Sequence, residues 1–410
     1  MTSRVRLFLF KIHLKKEKII MAESTPNTLT DLIPTLYQAL DVVSRELVGL
    51  IPSVTRDSQL ARAAIGQTVY SSVAPAATAG NVKANVTPPD DGQQSIGNIS
   101  LAITKSRYTP IRWQGEESLQ MNSPGGIGVR TLMRDQFAQG MRTLCNEIES
   151  DLAGLYVKAS RAVAPKSSTI FSTDLTDAAN ILKVLLDNGA PTSELKLVVG
   201  TTEGAALRSL AKLTTTIPSA QDMATQGVLI NAAGFQIRES AQIEDPTIGT
   251  AAATATVSTA AHAVGATTIN LASAGSGNIA AGDIISIDGD ENYYVVVTGD
   301  ADVSGGGTLV IAEPGLRVAI TAEDSPAISV YKKSNRNMAF ARSAIVLATR
   351  MPALPEGGDM GVDRTTITDP RSGLSFEVSK YLQYRQVRYE IAIAWGVACT
   401  KSEHLAILAG

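Results

Sequence analysis

VRTLMRDQFAQGMRTLCNEIESDLAGLY, residues 129–156, is the stretch whose reading decides the fold. Its apolar residues Val129, Met133, Phe137, Met141, Leu144, Ile148, Leu152 and Leu155 recur at three- and four-residue steps, the period of one buried helix face. At about 1.5 Å per residue the run makes a helix roughly 40 Å long, more than the average globular helix. The stretch before it, GQTVYSSVAPAATAGNVKANVTPPDDGQQSIG (66–97), has turn formers and few large apolar residues, so it builds no core of its own. A stiff rod joined to a reaching arm points to a subunit that extends over its neighbours, a building block rather than an enzyme. Phe137 and Ile148 lie on the apolar stripe and are expected to be buried against strands of the same subunit.

The chain of 410 residues has room for two or three domains, and 44% apolar with 18% charged residues excludes wholesale disorder. The two cysteines, Cys145 and Cys399, fall in the helix and after a strand-like run, so two reduced, buried thiols are expected. No apolar run reaches the length of a membrane span. The net charge of -3 hides segregation. Residues 1–20 carry six basic residues against Glu17, and residues 283–330 carry nine acids against Arg317 alone. Outside the extreme N-terminus there is no basic patch of the nucleic-acid-reader type. The leader MTSRVRLFLFKIHLKKEKII has too short an apolar core for a signal peptide. It reads either as a basic arm for a membrane surface or nucleic acid, or as an untranslated leader with Met21 as the functional start. The second is favoured, because Lys16-Glu17 could be encoded by a purine-rich ribosome-binding sequence three codons upstream of Met21.

Along the chain, TLTDLIPTLYQALDVVSRELVGL (28–50) is helical, with Thr30 or Asp31 as cap and Leu36, Leu40, Val43 and Leu47 on one face. Ile99, Leu101 and Ile103 alternate as on a half-buried strand, Tyr108 to Trp113 continues extended, and Ser123-Pro-Gly-Gly126 turns into the long helix. Beyond Pro165 the pattern is α/β. A helix capped by Asp174 runs to Leu186, LKLVV (195–199) is a buried strand, a helix opens at Thr202 and runs to Leu213, and Val228–Ile230 and Phe235–Ile237 form a strand pair. Residues 249–282 carry no charge, and short β-rich runs follow at Ile284–Ile287, Tyr293–Val297, Leu309–Ile311 and Ala327–Tyr331. Flanked by α/β sequence, this reads as an inserted antiparallel β-domain. Leu374 to Val378 is extended, Val387, Tyr389, Ile391, Ile393, Trp395 and Val397 mark a strand with one packed face, and Glu403–Leu408 adds a last strand.

Catalytic chemistry is missing. His13, His262 and His404 have no ligand-type neighbour at metal spacing, so no zinc site is assigned. Cys145 and Cys399 form no C-x-x-C pair, and a catalytic role would need His262 or His404 brought near by the fold; buried structural thiols are preferred. Asp288-Gly-Asp290-Glu291-Asn292 is the best calcium-loop candidate, but it lacks the distal Glu of an EF-hand, and a hairpin turn is preferred. Gly126-Ile-Gly128 and Gly275-Ser-Gly277 lack the third glycine of a dinucleotide fingerprint. Trp113 and Trp395 read as core. No catalytic, cofactor-binding or metal residue is assigned, and no cofactor.

The order of these elements resembles the major capsid (coat) protein of tailed double-stranded-DNA bacteriophages, and most nearly the short-tailed Salmonella-phage coat type with an inserted β-domain. ISLAITKSRYTPIRWQGEESLQM (99–121) resembles the end of that family's extended loop, and RTLMRDQFAQGMRTLCNEIESDLAGLYVKAS (130–160) its spine helix. ELKLVVGTTEGAALRSLAKL (194–213) is similar to the opening of its axial domain, and RYEIAIAWGVACTKSEHLAIL (388–408) to its closing strands. The insertion is short and rich in Ala and Gly, and the leader has no counterpart. The resemblance implies an α+β chain of the Hong Kong ninety-seven type, the Johnson fold. Its parts are a basic leader (1–21), an N-terminal arm and helix (22–65), an extended loop and strands (66–122), a spine helix (123–165), the first part of an axial α/β domain (166–248), the inserted β-domain (249–331), and a return through axial and peripheral domains to C-terminal strands (332–410).

The resemblance further implies self-assembly as pentamers and hexamers into an icosahedral shell in the host bacterial cytoplasm. The partners would be a scaffolding protein and a portal protein, with double-stranded DNA enclosed without sequence-specific binding and no membrane. The neutral main body suits a container that holds DNA without gripping it. The acidic insertion is expected on the outer surface, with Asp288, Asp290 and Glu291 at an exposed hairpin tip and its flanks rejoining in one domain. Two rivals are a non-viral compartment shell of the same fold and, from another class, a secreted β-rich adhesin or hydrolase. The missing signal peptide and catalytic constellation speak against the latter two.

Overall fold

In a computed structural model the described residues are 32–46, 49–73, 82, 84, 97–117, 129–164, 169–172, 174–210, 231–251, 255–256, 260–321, 325–333, 335–369 and 372–410. The basic leader, the caps Thr30 and Asp31, Leu47, most of the 74–96 arm, the Ser123–Gly126 turn, residues 211–213 and Val228–Ile230 therefore lie outside them.

The early helix, α1, spans Ile33–Glu46, with Leu36, Leu40 and Val43 buried on one face. The long helix, α2, spans Val129–Ala153, 25 residues, and tightens into a 3-10 turn over Gly154–Lys158. Met133, Phe137, Met141, Leu144, Ile148 and Leu152 are buried as the stripe requires. Two further helices, α3 (Thr176–Asp187) and α4 (Thr201–Ser209), start where the pattern placed them, but α4 stops short of the expected Leu213 because the backbone turns extended at Leu210. Asp174 Oδ1 accepts from the Thr176 amide at 2.9 Å, and α3 ends at Asn188-Gly189, where Gly189 takes a φ of 76°.

A six-stranded sheet lies under α2. Its axis is β19 (Gln386–Cys399), paired antiparallel with β4 (Lys105–Gln114) from Gln386↔Gln114 to Trp395↔Lys105. On the opposite side of β19 run β18 (Ser375–Gln383) and then β16 (Ile345–Pro352); β17 (Gly361–Thr368) pairs outside β18, and β1 (Thr55–Ala63) lies parallel to β16. Pro110 is tolerated because, among the described residues, β4 is paired on one side only. Gly140 marks the crossing of helix and sheet: a Cβ there would sit 3.0 Å from Thr109 Oγ1 and 3.1 Å from Ile391 Cδ1.

One expectation is corrected here. The middle of β19 is packed on both faces, not one. Tyr389, Ile391, Ile393 and Trp395 meet the helix side, while Ala394 packs with Ala63, Leu101, Ile103, Val346 and Ala348 in a separate small core. Ala392, Ala394 and Gly396 are small enough for a second layer to approach.

A second large sheet is twelve-stranded among the described residues. Its main-body part is β7 (Asn231–Ala232), β8 (Phe235–Glu239), β6 (Leu195–Val199), β15 (Arg336–Ala341), β20 (Leu405–Ala409) and β5 (Arg161–Val163), in that order. Phe235 pairs back to Ala232 through Ala233 and Gly234, both with positive φ as a two-residue hairpin requires. The remaining strands belong to residues 249–331: β9 (Ala255–Thr256), β10 (Thr268–Leu271), β11 (Ile284–Ile287), β12 (Tyr293–Thr298), β13 (Gly307–Ile311) and β14 (Ala327–Val330). They enclose their own core around Ile269, Ile285, Val296, Leu309 and Ile328.

That segment nevertheless does not stand apart from the main sheet, as expected of it. β12 pairs with β5 through Tyr293↔Ala162 and Tyr294↔Arg161, so the two sets of strands are one hydrogen-bonded sheet. Buried Arg161 secures the joint, donating to Asn292 Oδ1 at 2.9 Å and to Asn188 Oδ1 at 3.0 Å. The two ends of the segment do meet, because Lys332 Nζ donates to the carbonyls of Gly249 and Ala251 at 3.0 and 3.2 Å. The expected acidic tip is also only partly exposed. Asp288 and Glu291 face solvent, but Asp290 is half-buried because its carboxylate accepts from the Tyr294 hydroxyl at 2.6 Å and the Asn292 amide at 2.9 Å.

Candidate functional site

The residues that could have carried chemistry are scattered. His262 is buried on a bridge to Ile320 in the 249–331 core, whereas His404 is buried just before β20. Cys145 is buried inside α2 and belongs to no disulfide. Cys399, free and half-buried at the end of β19, has its thiol pushed up to about 11 by burial, which keeps it protonated and a poor nucleophile near neutral pH. Asp290 is spent on its own hairpin, and among the described residues no group of three or more His, Cys, Asp or Glu could hold a metal ion. Gly275 and Gly277 are turn residues with positive φ; Gly126 and Gly128 lie outside the described residues. Among the described residues no helix is long and apolar enough to cross a membrane.

What the residues do build is mechanical. Trp113 and Trp395 are core residues, and each indole N–H ties the sheet to α2: Trp113 Nε1 donates to Gln136 Oε1 and Trp395 Nε1 to Asp151 Oδ2, both at 2.8 Å. Lys105 Nζ adds a bond to the other Asp151 oxygen at 2.6 Å. The two anchors are about 22 Å apart along the helix, at 1.5 Å per residue. Glu149, one helical face away, reaches the other sheet. Its carboxylate accepts from the amides of Leu50 and Ile51 at 2.8 and 2.7 Å and from Ser240 Oγ at 3.0 Å, and the Ser240 amide in turn bonds the Val199 carbonyl at the end of β6. The long helix is therefore a strut that joins both sheets and the segment after α1.

Burial pushes the Glu149 carboxyl above the ordinary carboxylate range, against the pull of its three donors. Because the folded value is raised, this group favours the folded state while protonated. That contribution is full below the ordinary value and is lost as pH rises through the raised one. Glu149→Gln should remove this pH dependence. It should also cost about 1–3 kcal/mol, since an amide NH₂ would face a backbone N–H. Urea melts at a series of pH values from about 4 to 7 read both effects; an unchanged midpoint and slope would show that the carboxylate holds nothing.

The arm has a defined seat. β2 (Thr68–Val73) and β3 (Gly97–Ala102) form an antiparallel hairpin from Thr68↔Ala102 to Val73↔Gly97. Its base is closed by Gly66 N to Ile103 O and Ile103 N to Gln67 O, each at 2.9 Å, and is joined to the sheet by Thr104 N to Trp395 O at 3.0 Å. Glu149, Asp151 and Gly396 are the functional residues that sequence reasoning missed. Only Gly396 left a signal, a glycine inside a strand, which marks close backbone approach.

No family model matches this chain, and no curated protein matches it. Solved structures do. A chain described as the capsid structure of cyanophage P-SCSP1u aligns with a TM-score of 0.45 at 8% identity, covering 88% of each chain. A virus-like particle from Pyrococcus furiosus aligns at 0.42 and 10% identity over 92% of this chain and 98% of that one. A Mycobacterium phage Che8 chain aligns at 0.41 and 14% identity over 84% and 85%. The chain itself is α+β, with four α-helices among the described residues set against large sheets.

Proposed function

We propose that this chain is a structural shell protein of the tailed-phage major capsid type, a subunit that assembles with copies of itself into a closed icosahedral container for double-stranded DNA. The observation that carries this reading is the strut: one 25-residue helix pinned to two sheets, with a hairpin arm leaving from a dedicated seat on the same sheet. Such a layout holds a plate rigid and anchors the base of an arm, which on this reading extends over a neighbouring subunit. An enzyme would need a nucleophile, base and stabiliser brought within hydrogen-bond reach; Cys145 and Cys399 instead pack into the apolar core beneath α2, and His262 bridges Ile320 in the 249–331 segment.

Within this reading the chain makes pentamers and hexamers, a scaffolding protein templates a precursor shell in the bacterial cytoplasm, and DNA enters through a portal. Residues 249–331 are the counterpart of the insertion of the short-tailed Salmonella-phage coat type, here continuous with the main-body sheet through β5 and β12, and the exposed acids Asp288 and Glu291 face outward, away from packaged DNA. The test is electron microscopy of purified protein, alone and with a co-expressed scaffold. Closed shells of megadalton mass are expected. A stable monomer under every assembly condition, with measurable catalytic turnover, would overturn the proposal, and shells filled with protein cargo would point to a non-viral compartment.

A further inference from the structure

The face of the six-stranded sheet turned away from α2 carries an uncompensated charge. Arg112 on β4 stands directly opposite Arg388 on β19. Like charges in that position are destabilising. Arg388 is accommodated, since it pairs with Glu390 at 2.7 Å and lies over the rings of Tyr108 and Tyr381 at 5.3 and 6.0 Å. Arg112 is exposed and has no acidic partner among the described residues. Nearby, the β18–β19 turn exposes Tyr384 (89%) and Arg385, which also lacks an acidic partner there, and Tyr108 is 54% exposed beside Arg388. Arginine and tyrosine in a cluster are the residue types that dominate binding energy at protein interfaces.

The complementary charge lies in the same chain but in the other sheet. Asp288 and Glu291 are exposed on the β11–β12 turn, and neither carboxylate has a partner among the described residues. They belong to the 283–330 segment, with nine acids against one arginine. Within one subunit the two sets do not pair.

We propose that the face bearing Arg112 and Tyr108, with Arg385 on the β18–β19 turn at its edge, is an interface that receives the Asp288–Glu291 turn of a second copy of this chain. A carboxylate seated beside Arg112 offsets its repulsion from Arg388, and the tyrosines supply contact area at low entropic cost. The proposal rests on the assembly reading above and names the surface that would make one contact in it.

A charge-swap series tests it. Arg112→Glu with Arg385→Glu is one variant, Asp288→Arg with Glu291→Arg a second, and the four changes together a third. Sedimentation at low salt should show each two-residue variant losing assemblies by about tenfold, with the combined variant back within about twofold of the unaltered protein. The first variant should melt no lower than the unaltered subunit, because the new carboxylate would stand opposite Arg388; this separates docking from folding. The contact is overturned if either two-residue variant assembles like the unaltered protein, or if the combined variant is no better than the two. If the unaltered protein stays monomeric, the assembly reading falls and takes the contact with it. If the unaltered protein and the Arg112→Glu variant form shells equally, only the contact falls.

Discussion

Phe137→Ala should lower the stability of the subunit by about 3–5 kcal/mol, the usual range for truncating a buried aromatic residue. Phe137 is fully buried at the crossing of α2 and the six-stranded sheet, with its ring edge-on to Tyr389 at 5.7 Å and 76°. Neighbouring Gly140 already brings helix and strands as close as side chains allow, so the strut cannot settle further into the hole, and the cavity term adds to the lost transfer energy. Ile148→Ala, on the same stripe and equally buried, should cost about 2–5 kcal/mol. Denaturant melts of the isolated subunit measure both. A loss below about 1 kcal/mol for each, the size of an ordinary surface change, would mean that the stripe is not the seam that holds the strut. The consequence for function follows from cooperativity: Trp395, Asp151 and Glu149 can pin the helix to both sheets only while its apolar face stays seated.

What could be read from the chain, and what could not, divides along the range of the signal. The strut announced itself because periodicity is local and Phe137, Met141, Leu144 and Ile148 repeat it. The core strand β19 was equally plain on its helix side. Its second face was hidden because Ala392, Ala394 and Gly396 are small residues that look like the open side of an alternating strand. β1 was missed for a related reason. Its sequence TRDSQLARA has the polar, exposed pattern of an edge, and its parallel partner β16 lies nearly 300 residues away. β5 is three residues long and contains a buried arginine, so nothing local reveals that it splices two sets of strands into one sheet. Glu149 is the sharpest case. An acid in a helix ordinarily reads as solvent-facing, and its donors come from Leu50, Ile51 and Ser240, each more than 90 residues away. Residues held by long-range polar contacts are where pattern reasoning ends.

The arm's seat supplies the other large effect. A Cβ at position 396 would collide with the Ala102 carbonyl oxygen, lying 2.9 Å from its carbon and 3.2 Å from Ile103 Cα. Those are backbone atoms at the base of the hairpin, so no rotamer change relieves the clash. Gly396→Val should therefore cost about 1–3 kcal/mol through overpacking, with most of the displacement falling on the arm. The sheet is held on its other face by the intact α2 seam, while the hairpin base depends on a few backbone bonds and on Leu101 and Ile103 in the small outer core. Amide exchange should rise by about tenfold or more over Thr68–Val73 and Gly97–Thr104, with protection of α2 unchanged, because opening confined to one cooperative unit exposes only that unit. Gly305→Val is the control, since a Cβ there meets nothing within 4 Å. On the shell reading, Gly396→Val subunits should fold but fail to close, because an arm released from its seat no longer leaves the sheet in a fixed direction. Wild-type exchange at the hairpin base together with normal shells would show that the seat neither aims the arm nor matters to assembly.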